Sequence, residues 1–246
     1  MGFIKILIYC CVTLCSLSAV AQPLSVEYKA SDIRGLGIDI QAGEIKINAT
    51  EGPMAKVIAT KVKGPESCLV KTNLKDSLLL ITAPREKKLF GFFGQDCQID
   101  VEIFAPKEIA VNINVGGGNV KVNGIKGSLS ADLGAGNIDL KGEFLNVNID
   151  NGAGNISVEG LAGDATIDAG AGNIDVALSK VPTEGNLNVD AGTGNVTIVA
   201  PADSNIDVTT SAGVGATKNE FGSSPQAKYK ISADSGVGNI AIRKKF

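Results

Sequence analysis

Asp150-Asn151-Gly152-Ala153-Gly154-Asn155-Ile156 is one copy of a sequence motif that is repeated throughout the second half of the chain. Its first glycine recurs at intervals of 18 residues and then of 21–23 residues, at Gly116, Gly134, Gly152, Gly170, Gly192, Gly213 and Gly236. A regular period of this kind is typical of repeat architectures, in which each unit is too small to fold alone and stacks on its neighbours. The repeat therefore predicts the fold more directly than any other feature of the chain.

Apolar and polar residues alternate on both sides of each copy. In the stretch 129–140, Leu, Ala, Leu, Ile and Leu occupy every second position around Gly134–Asn137. This period of two predicts short strands with one buried side. A second glycine corner follows at Gly142 and Gly160, again 18 residues apart. Two strands and two corners per copy predict one turn of a single-stranded parallel β-solenoid, right-handed by the general crossover preference.

Stacking of the copies would place each residue above the equivalent residue of the preceding copy. We expect one inward apolar column from Ile138, Ile156, Ile174 and Val196, and a second from Leu133, Ile149 and Ile167. Stacked strands of this kind lie about 4.8 Å apart. The two columns would then supply the core of the domain.

The corner residues have separate physical roles. Glycine permits a positive φ and close stacking of one corner on the next, and the acid before it can accept a hydrogen bond from the backbone two residues on. Asparagine tolerates the left-handed region and can bond amide to amide with the next copy. Gly213 begins a degenerate copy, with Ala216 in place of asparagine. The structural corner residues are therefore predicted as Asp132, Gly134, Gly136, Asn137, Asp150, Gly152, Gly154, Asn155, Asp168, Gly170, Gly172, Asn173, Asp190, Gly192, Gly194 and Asn195.

The first 21 residues have the pattern of a secretory signal. Lys5 precedes an apolar run, and Ala19-Val20-Ala21 is a small-x-small cleavage pattern that leaves Gln22 as the mature start. An uncleaved membrane anchor is the alternative, although the run is short for a spanning helix. The prediction is an exported protein of the bacterial periplasm or cell surface, with no integral membrane span after cleavage.

Residues 22–246 are predicted to form one domain, with degenerate coils over 22–110 and regular repeats over 111–246. Cys68 and Cys97 are the two cysteines left after signal cleavage, and an even pair in an exported chain favours a disulfide over two reduced thiols. Phe90, Phe92 and Phe93 lie in a short glycine-containing segment. That segment is interpreted either as a loop covering the core or as an exposed apolar interaction loop.

Composition narrows the possible functions. The formal net charge of −3, from 23 basic and 26 acidic residues, argues against nucleic-acid binding. The chain has no histidine, and two cysteines alone make a poor metal site, so we expect no metal and no cofactor. No catalytic set stands out from the repeat.

The chain resembles the bacterial putative-adhesin, β-strand-repeat family, which is related to autotransporter adhesin head domains. The resemblance is carried by 38–47, by 101–113, by the Gly-x-Gly-Asn-Ile corners and by 230–242. It implies a single-stranded right-handed β-solenoid and supplies no catalytic residues.

Three functional hypotheses follow. The first is a non-enzymatic envelope or surface protein, an adhesin or interaction scaffold that contacts an envelope protein or a glycan through flat polar rows. The second is a polysaccharide-acting β-helix enzyme that uses stacked acids such as Asp132, Asp150 and Asp168. The third is a calcium-stabilised repeat protein, because a row of ionised acids at coil spacing would repel unless it is solvated or bound to metal.

Overall fold

The computed structural model describes residues 23–84 and 97–246, where the regular structure is β-strand except for a 3-10 turn at Ala30–Asp32. The predicted signal segment and the segment with Phe90, Phe92 and Phe93 lie outside the described residues. The strands are β1 (Leu24–Lys29), β2 (Gly35–Ala42), β3 (Ile45–Thr50), β4 (Met54–Lys63), β5 (Lys71–Lys75), β6 (Leu78–Thr82), β7 (Gln98–Pro106), β8 (Ala110–Gly117), β9 (Val120–Ala135), β10 (Ile138–Ala153), β11 (Ile156–Ala171), β12 (Ile174–Leu178), β13 (Gly185–Thr193), β14 (Val196–Pro201), β15 (Ile206–Val214), β16 (Thr217–Asn219), β17 (Tyr229–Val237) and β18 (Ile240–Lys245).

Three long strands, β9, β10 and β11, contain the most regular copies of the repeat, and each is 16 residues long. They pair in parallel, so that Ile138 lies beside Val120 and Ile156. The first part of β11 pairs with β12, which in turn pairs with β14, whereas the second part of β11 pairs with β13. We define two faces. The first face consists of the second parts of β9, β10 and β11 together with β13 and β17. The second face consists of the first parts of these three strands together with β12, β14 and β18.

The core lies between the two faces. The predicted column of Ile138, Ile156, Ile174 and Val196 is confirmed, and each of its side chains is fully buried. The second predicted column is wrong at one position, because the 18-residue period places Leu133 beside Val115 and Asn151. Ile149 instead pairs with Ala131 and Ile167. The columns are therefore in register, with Leu133 belonging to a neighbouring one.

The fold is all-β, but the prediction of a single-stranded parallel β-solenoid is wrong. Within residues 23–84 and 97–246, five strands close into a parallel barrel and 13 strands lie outside it. The barrel closes because β7 runs past a corner between β2 and β3: its Gln98 pairs with Ala42 of β2, and Val101–Pro106 pair with β3. The remaining pairs of the ring are β2 with β8, β8 with β9 and β9 with β3.

Antiparallel pairing is the second departure from the predicted coil. The antiparallel pairs β1–β4, β4–β7 and β5–β6 lie in the N-terminal part. Asp76 and Ser77 both have positive φ, 51° and 61°, between β5 and β6. Two consecutive left-handed residues make a tight hairpin turn, which reverses the chain where a stacked copy would need a parallel crossover.

The order of the last strands also differs from the order of the sequence. β17 pairs with both β13 and β15, and β18 pairs with both β14 and β16. The chain therefore forms the outer pair β15–β16 first and then returns to occupy the position between that pair and β13–β14. The irregular copy around Ala216 lies in this outer pair.

The predicted disulfide between Cys68 and Cys97 is confirmed. The two Cα atoms are 5.6 Å apart, the cysteines are 29 residues apart in the chain, and both are buried. The bond joins the segment before β5 to the start of β7. It therefore ties the antiparallel hairpin to a strand of the closed ring.

We expect Gly154→Ala to destabilise the protein by about 3 kcal/mol, because Gly154 has a φ of +134° and a Cβ there would overlap the carbonyl oxygen of Gly136. Urea unfolding of the two proteins measures the difference. Gly52→Ala is the control, since its Cβ would meet only the Thr50 Oγ1 at 3.4 Å and its φ is not positive. Equal losses in both variants would contradict the role assigned to corner stacking.

Replacing both Cys68 and Cys97 with alanine should lower the free energy of unfolding by about 3–4 kcal/mol, because the open chain regains loop entropy. Thermal unfolding with and without reductant checks this. The parent protein should lose stability on reduction, and the double variant should not respond. An unchanged melting temperature after verified reduction would show that the disulfide does not stabilise the fold.

Candidate functional site

A row of aspartates lies across the first face. Asp150 pairs in register with Asp132 and Asp168, Asp168 pairs with Asp190, and Asp190 pairs with Asp234. Their side chains point outward because the residues on either side of each acid are in the core. We call these five residues the aspartate row. Its carboxylates lie on adjacent parallel strands, about 4.8 Å apart along the row.

A second polar row runs beside the aspartate row, two residues earlier on each strand. It consists of hydroxyl and amide side chains: Ser130, Asn148, Thr166, Asn188 and Ser232. We call the two rows together the polar face. Because both rows repeat from strand to strand, the polar face offers the same hydrogen-bonding groups several times in one direction.

Glycines border the aspartate row on its other side and keep that border flat. Gly152 follows Asp150 by two residues, and a Cβ on it would overlap the carbonyl oxygen of Gly134 in the preceding copy. The backbones approach too closely there for any side chain. A large ligand could therefore lie across the acids without meeting a raised rim.

The aspartate row lacks internal charge compensation. Asp132, Asp150, Asp168 and Asp190 form no hydrogen bond or ion pair with any residue in 23–84 or 97–246, so the predicted backbone bond of the acid is not made at these positions. Asp234 accepts a hydrogen bond from Ser232 Oγ at 3.3 Å. Partial burial raises the pKa of the Asp168 carboxyl, and the carboxylates of Asp190 and Asp150 raise it further.

The corner asparagines form a continuous ladder, in which the bond common to every step joins a side-chain oxygen to a backbone N–H and the predicted amide-to-amide bond is present in only some steps. The Oδ1 of Asn155 accepts from the backbone N–H of Asn173 at 2.9 Å, and the same bond joins Asn119 to Asn137, Asn137 to Asn155, Asn173 to Asn195 and Asn195 to Asn239. Amide-to-amide bonds accompany it in two steps, Asn119 with Asn137 and Asn173 with Asn195. The ladder reaches Ala216, whose N–H donates to Asn239 Oδ1 at 3.0 Å.

The left-handed residue of each corner is a glycine and not the asparagine. Gly136, Gly154, Gly172 and Gly194 have φ values of 134–151°, whereas Asp76 and Ser77 are the non-glycine residues with positive φ in the described ranges. The predicted corner residues are thus brought together in three parallel lines: acids, glycines and asparagines. Each line has its own chemistry.

Sequence reasoning did not identify Asn151 as a buried polar residue. Asn151 is fully buried, and its Nδ2 donates to the carbonyl oxygens of Gly136 at 3.0 Å and Gly154 at 3.3 Å. Comparison of the copies would have indicated its burial, because the same position holds the apolar residues Leu133 in the copy before and Ala169 in the copy after. Asn151 supports two corners and does not reach the polar face.

Neither a metal centre nor a membrane span is evident in the described parts of the chain. No group of three or more His, Cys, Asp or Glu there could hold a metal ion. No helix within 23–84 or 97–246 is long and apolar enough to cross a membrane. The polar face itself can attract cations and exchange hydrogen bonds with hydroxyl groups.

Comparison with known proteins gives structural likenesses at low identity. No family model matches the chain, and no curated protein matches it. The chain is similar to a putative adhesin from Bacteroides fragilis, at 14% identity and a TM-score of 0.46, covering 91% of this chain and 98% of that one. It is also similar to a putative cell adhesion protein from Clostridium sporogenes, at 16% identity and a TM-score of 0.40, covering 91% and 100%.

A putative lipid binding protein from Parabacteroides distasonis is similar as well, at 15% identity and a TM-score of 0.32, covering 91% of this chain and 98% of that one. The solved neighbours thus include proteins named as adhesins, and no comparison links the chain to autotransporter head domains. At these identities and TM-scores the likenesses assign neither a ligand nor an activity.

Asp168→Asn should stabilise the protein at neutral pH. The folded-state pKa of Asp168 lies above the unfolded value, so the folded chain binds this proton more tightly and loses stability as pH rises through the raised pKa. Asparagine removes that loss. We expect a higher melting temperature at pH 7 and no difference at about pH 3, where carboxyls are largely protonated.

Asp132→Asn is the matched control for this pH experiment. Asp132 ends the aspartate row and has one aspartate neighbour instead of two. Its gain at pH 7 should be smaller than that of Asp168→Asn. A lower melting temperature for Asp168→Asn at pH 7, or a gain that persists at pH 3, would refute repulsion within the row.

Proposed function

We propose that this chain is an exported, non-enzymatic envelope or surface protein that serves as an interaction scaffold, with its mature domain spanning 22–246 after removal of 1–21. The polar face binds the partner. The single observation that carries the proposal is the aspartate row: five carboxylates in register, exposed or half-exposed, on a flat and repetitive face. A surface of this kind suits an extended partner rather than one small molecule.

The chemistry of the polar face specifies what the partner carries. None of the five acids has a cationic partner among the described residues, so their field is available to positive groups on a ligand. The adjacent hydroxyl and amide row can exchange hydrogen bonds with sugar hydroxyls or with a peptide backbone. An envelope protein or glycan that combines cationic and hydrogen-bonding groups meets both conditions.

Repetition argues against the enzymatic alternative. A glycoside hydrolase needs two carboxyl groups with different roles, usually separated in pKa and set in a cleft. Here the acids recur at the same register position in successive copies, all on one outward face. The flat glycine border provides no cleft around them. These features support a binding surface.

Calcium stabilisation is a second candidate, favoured by the in-register carboxylates of the aspartate row. Burial raises the pKa of the Asp168 carboxyl most, and repulsion from Asp190 and Asp150 raises it further. A divalent cation outside the face could bridge neighbouring carboxylates and relieve that repulsion. Thermal unfolding in calcium and in chelator tests this idea separately. An unchanged melting temperature would show that calcium does not stabilise the fold, and it would not contradict the scaffold proposal.

The test of the scaffold uses the chain from Gln22 to Phe246, labelled and added to bacterial cells, cell-wall fractions and a glycan array that includes amino sugars. In the test variant, Asp150, Asp168 and Asp190 are replaced by Asn. We expect its affinity to fall by about tenfold or more, with loss of salt dependence, because the cationic groups of the partner lose their counterparts.

The matched control removes the same number of negative charges elsewhere, through Glu27→Gln, Glu102→Gln and Asp139→Asn. Binding by this control should stay within about twofold of the parent. Equal losses in the two variants would show that overall charge acts instead of the polar face. If the parent turned over any glycan and the test variant did not, the protein would be an enzyme and the scaffold proposal would be wrong.

A further inference from the structure

A groove on the second face interrupts the repeat. The outward position of this face is occupied, from strand to strand, by Lys141, Glu159, Ala177, Val199 and Arg243. Ala177 is the smallest member, and it lies between the longer side chains of Glu159 and Val199. A cavity of about 520 Å³ opens over it. This volume falls within the range of about 300–1,000 Å³ that is usual for small-molecule sites.

The floor of the groove is apolar and short. Ala177 forms it together with Gly142 and Gly160, and the flanking residues Val176 and Leu178 direct their side chains into the core. A loop leaves the sheet immediately after Leu178, and its Ser179 N–H donates to the Leu161 carbonyl oxygen at 2.8 Å. That bond fixes one end of the groove. The floor is thus shaped for a flat, weakly polar ligand surface.

Three polar side chains stand in line at one side of the groove. Asp175 pairs in register with Ser157 on one neighbouring strand and with Thr197 on the other. The central carboxylate can accept hydrogen bonds from a ligand, and the hydroxyl on either side can donate or accept them. A pair of adjacent sugar hydroxyls can form hydrogen bonds with such a row.

The charges around the groove are unequal. Glu159 neutralises Lys141 across one wall, with Nζ and Oε1 3.2 Å apart. Lys245 lines the opposite wall and forms no ion pair with any residue in the described ranges. The groove therefore offers a ligand one cation, Lys245, and one carboxylate, Asp175. The ammonium group can pair with an anionic group on the ligand, while the carboxylate can accept hydrogen bonds from its hydroxyls.

We propose that this groove binds an acidic sugar unit of a glycan. The ligand carboxylate pairs with Lys245, the less polar side of the ring lies on Ala177 and Val199, and the ring hydroxyls bond to Asp175, Ser157 and Thr197. This site is separate from the polar face, on the other side of the core, and does not depend on the function proposed for that face.

NMR titration of the chain from Gln22 to Phe246 with galacturonate tests the proposal, with glucose as the neutral sugar and glucose 6-sulfate as a second anion. We expect dissociation constants for galacturonate of about 1–10 mM, at least about tenfold tighter than for glucose, with shifts centred on the backbone of Ala177 and Val199. No shift at about 50 mM galacturonate, shifts centred elsewhere, equal binding of glucose, or tighter binding of the sulfate would each overturn it.

Two variants locate the site. Lys245→Gln should bring galacturonate affinity down to that of glucose, because the carboxylate loses its partner. Ala177→Leu should abolish binding of both sugars by filling the groove, and its half-exposed position keeps the core unchanged. Lys121→Gln, on the same face outside the groove, is the control and should bind like the parent. Unaltered galacturonate binding by Ala177→Leu would rule out the groove.

Discussion

Parallel, in-register stacking of one sequence copy on the next is the constraint from which most of this structure follows. Each residue has its counterpart directly above and below it, so a side chain that is tolerated once must be tolerated in every copy. At the corners the constraint is severe, because Gly154 has no room for a Cβ against Gly136. In the core it is favourable, since aliphatic columns such as Ile138, Ile156 and Ile174 bury the same apolar surface in each copy.

The same constraint produces interactions that a less regular fold would avoid. Stacking aligns five aspartates whose charges repel, and they remain because the first face leaves them in contact with solvent. It also aligns the corner asparagines, where the result is favourable: each Oδ1 receives a backbone N–H from the next copy. Asparagine satisfies a donor at the corner without adding charge, which aspartate in the same place would do. The acids and the amides therefore occupy separate lines for electrostatic reasons.

The sequence predicted the regular part of the fold well and the N-terminal part poorly. Identical spacing made the pairing of Asp132, Asp150 and Asp168 predictable, whereas the place of Leu133 in the columns and the order of β15 to β18 differ from the prediction. Closure of the ring was not predictable, because it depends on β7 reaching both β2 and β3, a long-range pairing with no local pattern. The hairpin at Asp76 and Ser77 was not predictable for a different reason. Its two strands have the same alternation of apolar and polar residues as the repeat, and only the positive φ of the turn distinguishes a hairpin from a parallel repeat. The aspartate row could be anticipated as corner residues, but its lack of hydrogen-bond partners could not.

Positions where the repeat breaks have a different meaning from positions where it holds. A residue that recurs in every copy, such as the acid of the aspartate row, makes an extended surface and suits a partner that is itself extended. A residue that differs from its counterparts creates something local. Asn151 replaces an apolar residue and supports two corner carbonyls, while Ala177 replaces a long side chain and opens a groove. Ala216 replaces an asparagine and has no side-chain oxygen to offer, so the ladder ends at the outermost strand pair. In a stack held together by repetition, local specificity for a ligand arises from such departures, and of these three the groove over Ala177 opens to solvent with Lys245 and Asp175 beside it.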